Sequence, residues 1–310
     1  MYHYILTRLL SGVVVIFGVS LLVFLMVRLV PGDPVEVMVG EFAQVADKDA
    51  IRERLGLDKP VLEQLVVYYQ KLFQFDLGQS IHTQKNITDI LLEKLPATAY
   101  LACVALLLAI VIAIPLGVIA AVHKGDAIDN GAMAFSLLGV SIPNFWLGPL
   151  LILLFSLHLN WLPVSGDEHA GAIILPAITL GTAMAAILSR MVRSTVLEVL
   201  TEDYIRTARA KGLKERVVVY KHALRNAMLP VITILGLQLG TLLGGAVITE
   251  TVFSWPGIGS EMVDGIQNRD YPIVQACVLV ISLLYVVVNV MTDIIYAWVD
   301  PRIRLAEGQS

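Results

Sequence analysis

A run of 25 uncharged residues, Thr98–Val122, reads TAYLACVALLLAIVIAIPLGVIAAV. As an α-helix it rises about 37 Å at 1.5 Å per residue, which exceeds the ~30 Å hydrocarbon core of a bilayer. A helix also satisfies its own backbone polar groups, as a lipid environment requires. The run therefore predicts a membrane-spanning helix.

Five further windows have the same character: Leu9–Val30, Gly131–Leu157, Ala170–Ser189, Asn226–Thr249 and Pro272–Thr292. The 310 residues include 22 basic and 26 acidic side chains, and Arg28 is the one charge inside the six windows. The chain is 57% apolar and 15% charged, whereas soluble domains are about 25% charged. We predict an all-α polytopic membrane protein with six transmembrane helices. This composition excludes a soluble enzyme, a nucleic-acid binder and a secreted disulfide scaffold.

The distribution of Lys and Arg predicts the orientation. With six spans, both termini share a side with the second and fourth loops, and that side carries nine basic residues between Arg190 and Arg225 alone. The third loop has none and the fifth has only Arg269. The first loop exceeds the ~60 residues over which the rule is reliable. Both termini are therefore expected in the cytoplasm.

The same map divides the chain into three segments. Residues 1–30 hold the N-terminus and the first span, which we expect to be a retained helix because it is too long for a signal-peptide core. Residues 31–97 form an external loop. Residues 98–310 form a five-helix transmembrane core that contains a cytoplasmic loop at 190–225.

The external loop is expected to fold as a small cap with short helices. A charged helix is predicted at Asp47–Leu55, where Gly56 ends it, and a second begins after Pro60. Apolar positions in the second are spaced as one helix face: Leu62, Leu65, Val66, Tyr69, Leu72 and Phe73. An amphipathic helix lying on lipid is the alternative interpretation.

The cytoplasmic loop contains a short docking helix. Thr201 is expected to cap it, with two acids in the first turn where the helix dipole favours them, and Gly212 to end it. Central alanines keep it thin, which suits a groove on another protein. Binding to anionic lipid is the alternative; it explains the basic charge but neither the small residues nor the glycine stop. The residues assigned to the docking helix are Glu202, Asp203, Tyr204, Arg206, Thr207, Ala208, Arg209, Ala210, Lys211 and Gly212.

The sequence offers no catalytic, cofactor-binding or metal-binding set. It contains neither a P-loop nor a His-Glu-x-x-His pair, and no His or Lys lies in a span to activate a serine. Cys103 and Cys277 lie in apolar spans, where we expect them to pack as small side chains. The spans also lack the buried carboxylates of an ion-driven carrier. Energy for uphill transport would therefore enter through a partner.

Three prolines are expected to interrupt spans and so to mark kinks. They are Pro115, Pro143 and Pro176. Such a kink can line a path or allow a helix to pivot, but a packing kink without a role in transport is the simpler interpretation of each. No residue of the translocation path is assigned.

Eight strings occur in a fixed order along the chain: LVPGDP at 29–34, DLGQS at 76–80, SIPNFW at 141–146, DYIRTARAKGL at 203–213, HALRNA at 222–227, WPGIG at 255–259, RDYP at 269–272 and DPRIR at 300–304. With these strings on a six-span map, the chain resembles, over essentially its whole length, the permease subunits of bacterial binding-protein-dependent ABC importers. The resemblance is to the dipeptide/oligopeptide/nickel/glutathione branch.

The resemblance implies a type I ABC importer permease fold, in a multi-pass protein of the bacterial inner membrane. The family's coupling motif, Glu-Ala-Ala, three residues, then Gly, maps onto Arg206-Thr207-Ala208 and Gly212, with the Glu and the first Ala absent. Ala208, Gly212 and the exposed basic face are therefore expected to seat in a cleft of an ATPase subunit.

The resemblance also implies partners. They are a homologous second permease, two ATP-binding subunits that hold ATP and Mg, and an external solute-binding protein; no nucleic acid is expected. The chain itself is expected to be no enzyme and to hold no cofactor. The external loop would help to receive the loaded binding protein.

Short peptides are the first choice of substrate. Nickel or a nickel chelate is second, because residues 139–146 look close to nickel-type members, and glutathione is third, because Thr201–Tyr204 has a similar form there. From a different class, a membrane receptor or scaffold without transport would use the same docking helix. A self-sufficient secondary carrier is disfavoured by the charge-poor spans.

Overall fold

The computed structural model describes residues 2–29, 58–169 and 171–299. The charged helix expected at Asp47–Leu55 lies outside these residues. Helices account for the regular structure within them, apart from an isolated bridge between Gln79 and Asn86. The expectation of an all-α protein is confirmed.

Eleven α-helices occur in the described residues: α1 Tyr2–Leu29, α2 Val61–Phe73, α3 Ile87–Val122, α4 Ala127–Ser141, α5 Asn144–Leu151, α6 Ile174–Val199, α7 Asp203–Ala210, α8 Glu215–Val217, α9 Leu224–Phe253, α10 Ile258–Gln267 and α11 Tyr271–Val299. Two π-helical segments extend them. Ile152–His158 continues α5, and Val218–Ala223 joins α8 to α9.

Four helical stretches in the described residues are long and apolar enough to cross a membrane: Ile87–Val122, Ile174–Val199, Glu215–Phe253 and Tyr271–Thr292. A fifth crossing results if α4 and the helix from Asn144 to His158 form one span with a 103° bend. Helix α1 contains a shorter apolar stretch, Leu10–Leu25. Six crossings and cytoplasmic termini stay predictions.

The bend between α4 and α5 has a local cause at Pro143. The residue before a proline avoids the helical region, and Ile142 is accordingly extended, with φ −89° and ψ 115°. The interruption expected at Pro143 is confirmed. Those expected at Pro115 and Pro176 are wrong, because α3 runs through Pro115 and because Pro176 lies in the first turn of α6, where no N–H is required.

The chain divides into two compact units. Among the described residues, the loop unit comprises 10–29, 58–98 and 256–286, and the core unit comprises 2–9, 99–169, 171–255 and 287–299. The core unit is built around α6, whose buried face includes 14 residues. A Cβ added to Gly117 would lie 2.6 Å from the Ser189 carbonyl oxygen, so α3 and α6 are in backbone contact.

The loop unit has its own apolar cluster. Buried side chains from the first turns of α3 meet others from α10 and α11; they are Ile87, Ile90, Leu91, Ile258, Ile273, Ala276 and Cys277. Cys277 is fully buried, as expected for a packing residue, whereas Cys103 is exposed.

Asp270 fastens the external loop to the start of α11. Its Oδ2 accepts a hydrogen bond from the Ser80 hydroxyl at 2.5 Å and from the His82 backbone N–H at 3.1 Å. Ser80 and Asp270 are both buried. The strings DLGQS and RDYP, 190 residues apart, therefore form one structural joint.

Replacing Asp270 with Asn is expected to loosen this joint. Hydrogen bonds to a charged group contribute about 1.5–3 kcal/mol each to stability, and the amide forfeits that charge. The thermal unfolding midpoint of the purified protein should fall by several degrees. Asp264→Asn, at an exposed carboxylate on α10, is the matched control and should leave the midpoint unchanged. Equal midpoints for both variants would contradict the assignment.

Candidate functional site

Helix α7 begins at an unassisted N-cap. Glu202 is extended, with φ −67° and ψ 147°, and no side chain caps the helix. The Thr201 hydroxyl instead donates to the Glu198 carbonyl at 2.7 Å. The expectation that Thr201 caps α7 is wrong, because its hydroxyl bonds back to the last turns of α6 and Glu202 is the N-cap residue.

The other end of α7 is closed by a Schellman motif. The Leu213 N–H bonds to the Ala208 carbonyl at 3.4 Å, and the Gly212 N–H bonds to the Arg209 carbonyl at 2.9 Å. Gly212 adopts φ +75°, a conformation that a residue with a Cβ takes up only with strain. The prediction that Gly212 ends the helix is confirmed.

One face of α7 is buried against its own chain. Ile205 and Ala208 are 0% and 6% exposed, and they form an apolar cluster with Val218 and Ala223 of the returning π segment. Ala208 thus fixes α7 to the chain that leads into α9. The small residue on the outer side of the helix is Ala210, which is exposed.

The outer face of α7 carries both charge signs. Its exposed residues are Asp203, Tyr204, Arg206, Thr207, Arg209 and Ala210, followed by Lys211 and Gly212. The Arg206–Asp203 pair at 3.4 Å is 74% and 95% exposed and contributes little to stability.

Arg209 closes the turn after α7. Its guanidinium holds the Glu215 carboxylate through two hydrogen bonds, of 2.7 and 3.2 Å. These bonds hold the pKa of Arg209 above its ordinary value. Arg209 therefore braces the loop, while Arg206 and Lys211 supply positive charge on the outer face.

Tyr204 ties the first turn of α7 to the base of α9. Its hydroxyl oxygen accepts a hydrogen bond from the Asn226 side-chain amide at 2.7 Å. This bond holds α7 to α9, and the Ile205 cluster holds α7 to the π segment that leads into α9. The string HALRNA supplies Asn226, but no spacing rule relates that residue to Tyr204, so sequence reasoning missed the contact.

A second joint lies at the base of α6, the helix that leads into α7. The Arg193 guanidinium donates two hydrogen bonds to the carboxylate of Asp129 in α4. Nε donates to Oδ1 at 2.5 Å, and Nη2 donates to Oδ2 at 2.6 Å. The Gly125 N–H adds a third bond to Oδ2 at 2.9 Å. Asp129 is 3% exposed and Arg193 26%. Both residues lie just beyond window ends, and sequence reasoning did not single them out.

The ten residues assigned to the docking helix thus form one continuous element. Glu202 is its N-cap, the others lie in α7 or at its C-terminal turn, and Ala208 alone faces inward. In the described part of the chain, no group of three or more His, Cys, Asp or Glu side chains could hold a metal ion. The element is suited to binding another macromolecule rather than to covalent chemistry.

Comparison with known families covers almost the whole chain. Residues 113–305 match the family described as "Binding-protein-dependent transport system inner membrane component". Residues 1–102 match the description "Binding-prot-dependent transport system membrane comp, N-term".

Two relatives extend over nearly the full length. The di/tripeptide transport system permease protein DppB of Pseudomonas aeruginosa (strain UCBPP-PA14) is 47% identical, with 93% of this chain and 94% of the relative covered. The glutathione transport system permease protein GsiC of Escherichia coli O6:H1 is 42% identical, with 98% and 99% covered.

A solved structure has the same fold. The MetNI methionine ABC transporter, in an inward-facing conformation, matches with a TM-score of 0.58 at 22% identity, over 69% of this chain and 97% of that one. The fold is therefore that of a type I ABC importer permease. This chain belongs to the family of inner-membrane permease subunits of binding-protein-dependent ABC importers, in the dipeptide/glutathione branch, and it is a transport component rather than an enzyme.

Proposed function

We propose that this chain forms part of the path for short peptides in an ATP-driven importer. The observation that carries this proposal is the 47% identity to a di/tripeptide permease over 93% of the chain. Glutathione is itself a small peptide, so the 42% identity to a glutathione permease points to the same substrate chemistry. Nickel or a nickel chelate is the second candidate.

The assembly we propose contains this chain, a homologous second permease, two ATP-binding subunits and an external solute-binding protein. ATP and Mg would be bound by the ATP-binding subunits. The family description, which names binding-protein-dependent transport, supports the external partner. The outer face of α7 supports the proposed ATP-binding subunits, because it presents exposed basic residues beside the small side chain of Ala210.

The coupling element we propose is the set Glu202–Gly212. Closure of the ATP-binding subunits would displace α7, and this displacement would be transmitted to the rest of the chain along two routes. The Tyr204–Asn226 bond connects α7 to α9, and the Ile205 cluster connects α7 to the π segment that leads into α9. Leu200, Thr201 and Glu202 connect it directly to α6. Both are long apolar helices, so a displacement of α7 would reach the proposed membrane-spanning region.

Co-purification with a substrate screen tests this assignment. The tagged chain would be isolated from native membranes in mild detergent, and its partners identified by mass spectrometry. We expect two ATP-binding subunits and a second permease. With the binding protein added, di- and tripeptides should stimulate ATP hydrolysis more than nickel chelates do. Stimulation by nickel chelates alone would overturn the peptide assignment, and a chain that elutes with a signalling protein and no ATPase would favour a receptor.

A further inference from the structure

Helix α2 of the external loop has three distinct sides. At 100° per residue, one side holds Leu65, Tyr68 and Leu72. These three are partly buried, and no residue of α2 is fully buried. The other two sides of this helix are exposed, and they differ in polarity.

The partly buried side packs on α1. Tyr69 stacks on Phe17 with ring centroids 5.0 Å apart, and Tyr68 lies 5.3 Å from Phe24. The Tyr69 hydroxyl also lies 3.0 Å from the Ser20 hydroxyl, within hydrogen-bonding distance. These contacts hold α2 against the outer half of the apolar stretch of α1.

One exposed side of α2 is apolar and the other is polar. Leu62, Val66 and Phe73 fall within about 40° of one another around the helix and are 76%, 56% and 83% exposed. Glu63 and Gln70 lie on the remaining side, away from α1. A helix with an apolar flank beside a membrane-spanning neighbour and a polar flank beyond it is typical of interfacial helices.

The apolar stretch of α1 gives the level of the outer membrane surface. That stretch runs from Leu10 to Leu25, and Arg28 is the first charged residue after it in the sequence. With the N-terminus in the cytoplasm, as the distribution of Lys and Arg predicts, the outer end of the stretch lies at Leu25.

Ser20 lies close to that outer end. It precedes Leu25 by five residues, which is about 7 Å along a helix. Ser20 and its partner Tyr69 therefore lie near the outer membrane surface.

We propose that α2 lies in the headgroup region of the outer leaflet, with Leu62, Val66 and Phe73 in contact with lipid. The apolar flank then continues the lipid-exposed surface of α1, where Val13, Val14 and Leu22 are 62%, 70% and 54% exposed. The paired tyrosines on α2 match the enrichment of Tyr at membrane interfaces. The bilayer, rather than the binding protein, is the partner of this flank.

Collision measurements on nitroxide spin labels test this placement. In a Cys103→Ala background, single cysteines replace Val66 or Phe73, with Gln70 as the matched control on the same helix. The complete importer is reconstituted in liposomes and probed with oxygen, which partitions into lipid, and with a water-soluble nickel chelate. Labels at 66 and 73 should favour oxygen, and the label at 70 should favour the nickel reagent.

Three outcomes would overturn the placement. Equal access of the nickel reagent at 66, 70 and 73 would put the whole helix in water. Exclusion of both reagents at 66 and 73 would indicate a protein partner. A label at Val66 that is water-accessible and becomes immobilised when loaded binding protein is added would make this flank a receptor surface instead.

Discussion

Replacing Asp129 with Asn is expected to lower the thermal unfolding midpoint of the importer by several degrees and to reduce the peptide transported per ATP hydrolysed. The substitution keeps the shape of the side chain but leaves the Arg193 guanidinium without its carboxylate. The carboxylate of Asp129 is 3% exposed and accepts both guanidinium hydrogen bonds, so the neutral amide forfeits two charge-assisted bonds. Because α6 leads into α7, weakening the contact between α4 and α6 should reduce the movement that α7 transmits from the ATP-binding subunits to the spans.

Arg193→Lys and Asp203→Asn calibrate this prediction. Lysine keeps the charge but loses the two-point grip, so Arg193→Lys should fall between the native protein and Asp129→Asn. Asp203→Asn removes a carboxylate from an exposed pair and should change stability by less than about 1 kcal/mol. The thermal unfolding midpoint and the peptide uptake per ATP hydrolysed are measured for each variant and give their order. An Asp129→Asn protein that is as stable as Asp203→Asn and as well coupled as the native protein would contradict the role of the joint.

Replacing Ala210 with Trp is expected to abolish peptide-stimulated ATP hydrolysis and transport while leaving the fold intact. Ala210 is exposed on the outer face of α7, so an indole there meets solvent in the free subunit but obstructs an ATPase cleft fitted to a small side chain. Coupled activity is read from peptide-stimulated phosphate release and uptake, and folding from the unfolding midpoint.

Two companion variants separate docking from folding. Ala210→Ser adds a single oxygen and should retain near-native coupling. Ala208→Trp places an indole in the buried cluster around Ile205, so it should lower the unfolding midpoint as well as the activity. If Ala210→Trp assembles with the ATP-binding subunits and couples normally, the outer face of α7 is not the docking surface.

The parts of the structure that depend on local pattern were predictable from the sequence. A long uncharged run predicts helix α3 because a bilayer leaves the backbone few alternatives, and Gly212 predicts the end of α7 because its φ of +75° suits glycine. The break at Pro143 follows from the same local sterics.

The parts that depend on tertiary contact were not predictable. Threonine is a common capping residue, yet the Thr201 hydroxyl bonds back to α6 instead of capping α7. The local sequence is compatible with either bond. Ala208 is small, as expected for a docking residue, yet it faces its own chain. The position of the π segment decides which side of α7 is covered. The Asp129–Arg193 and Tyr204–Asn226 joints connect residues 64 and 22 positions apart, and no periodicity encodes such separations.

Uptake of a labelled dipeptide into proteoliposomes tests the central claim most directly. Vesicles would contain the purified complex of this chain, its second permease and the ATP-binding subunits, with loaded binding protein on the side of the external loop and Mg-ATP on the side of α7. We predict accumulation against the gradient that requires both ATP and the binding protein. An intact complex that hydrolyses ATP in response to loaded binding protein, yet moves no peptide, would contradict this account and favour a membrane receptor.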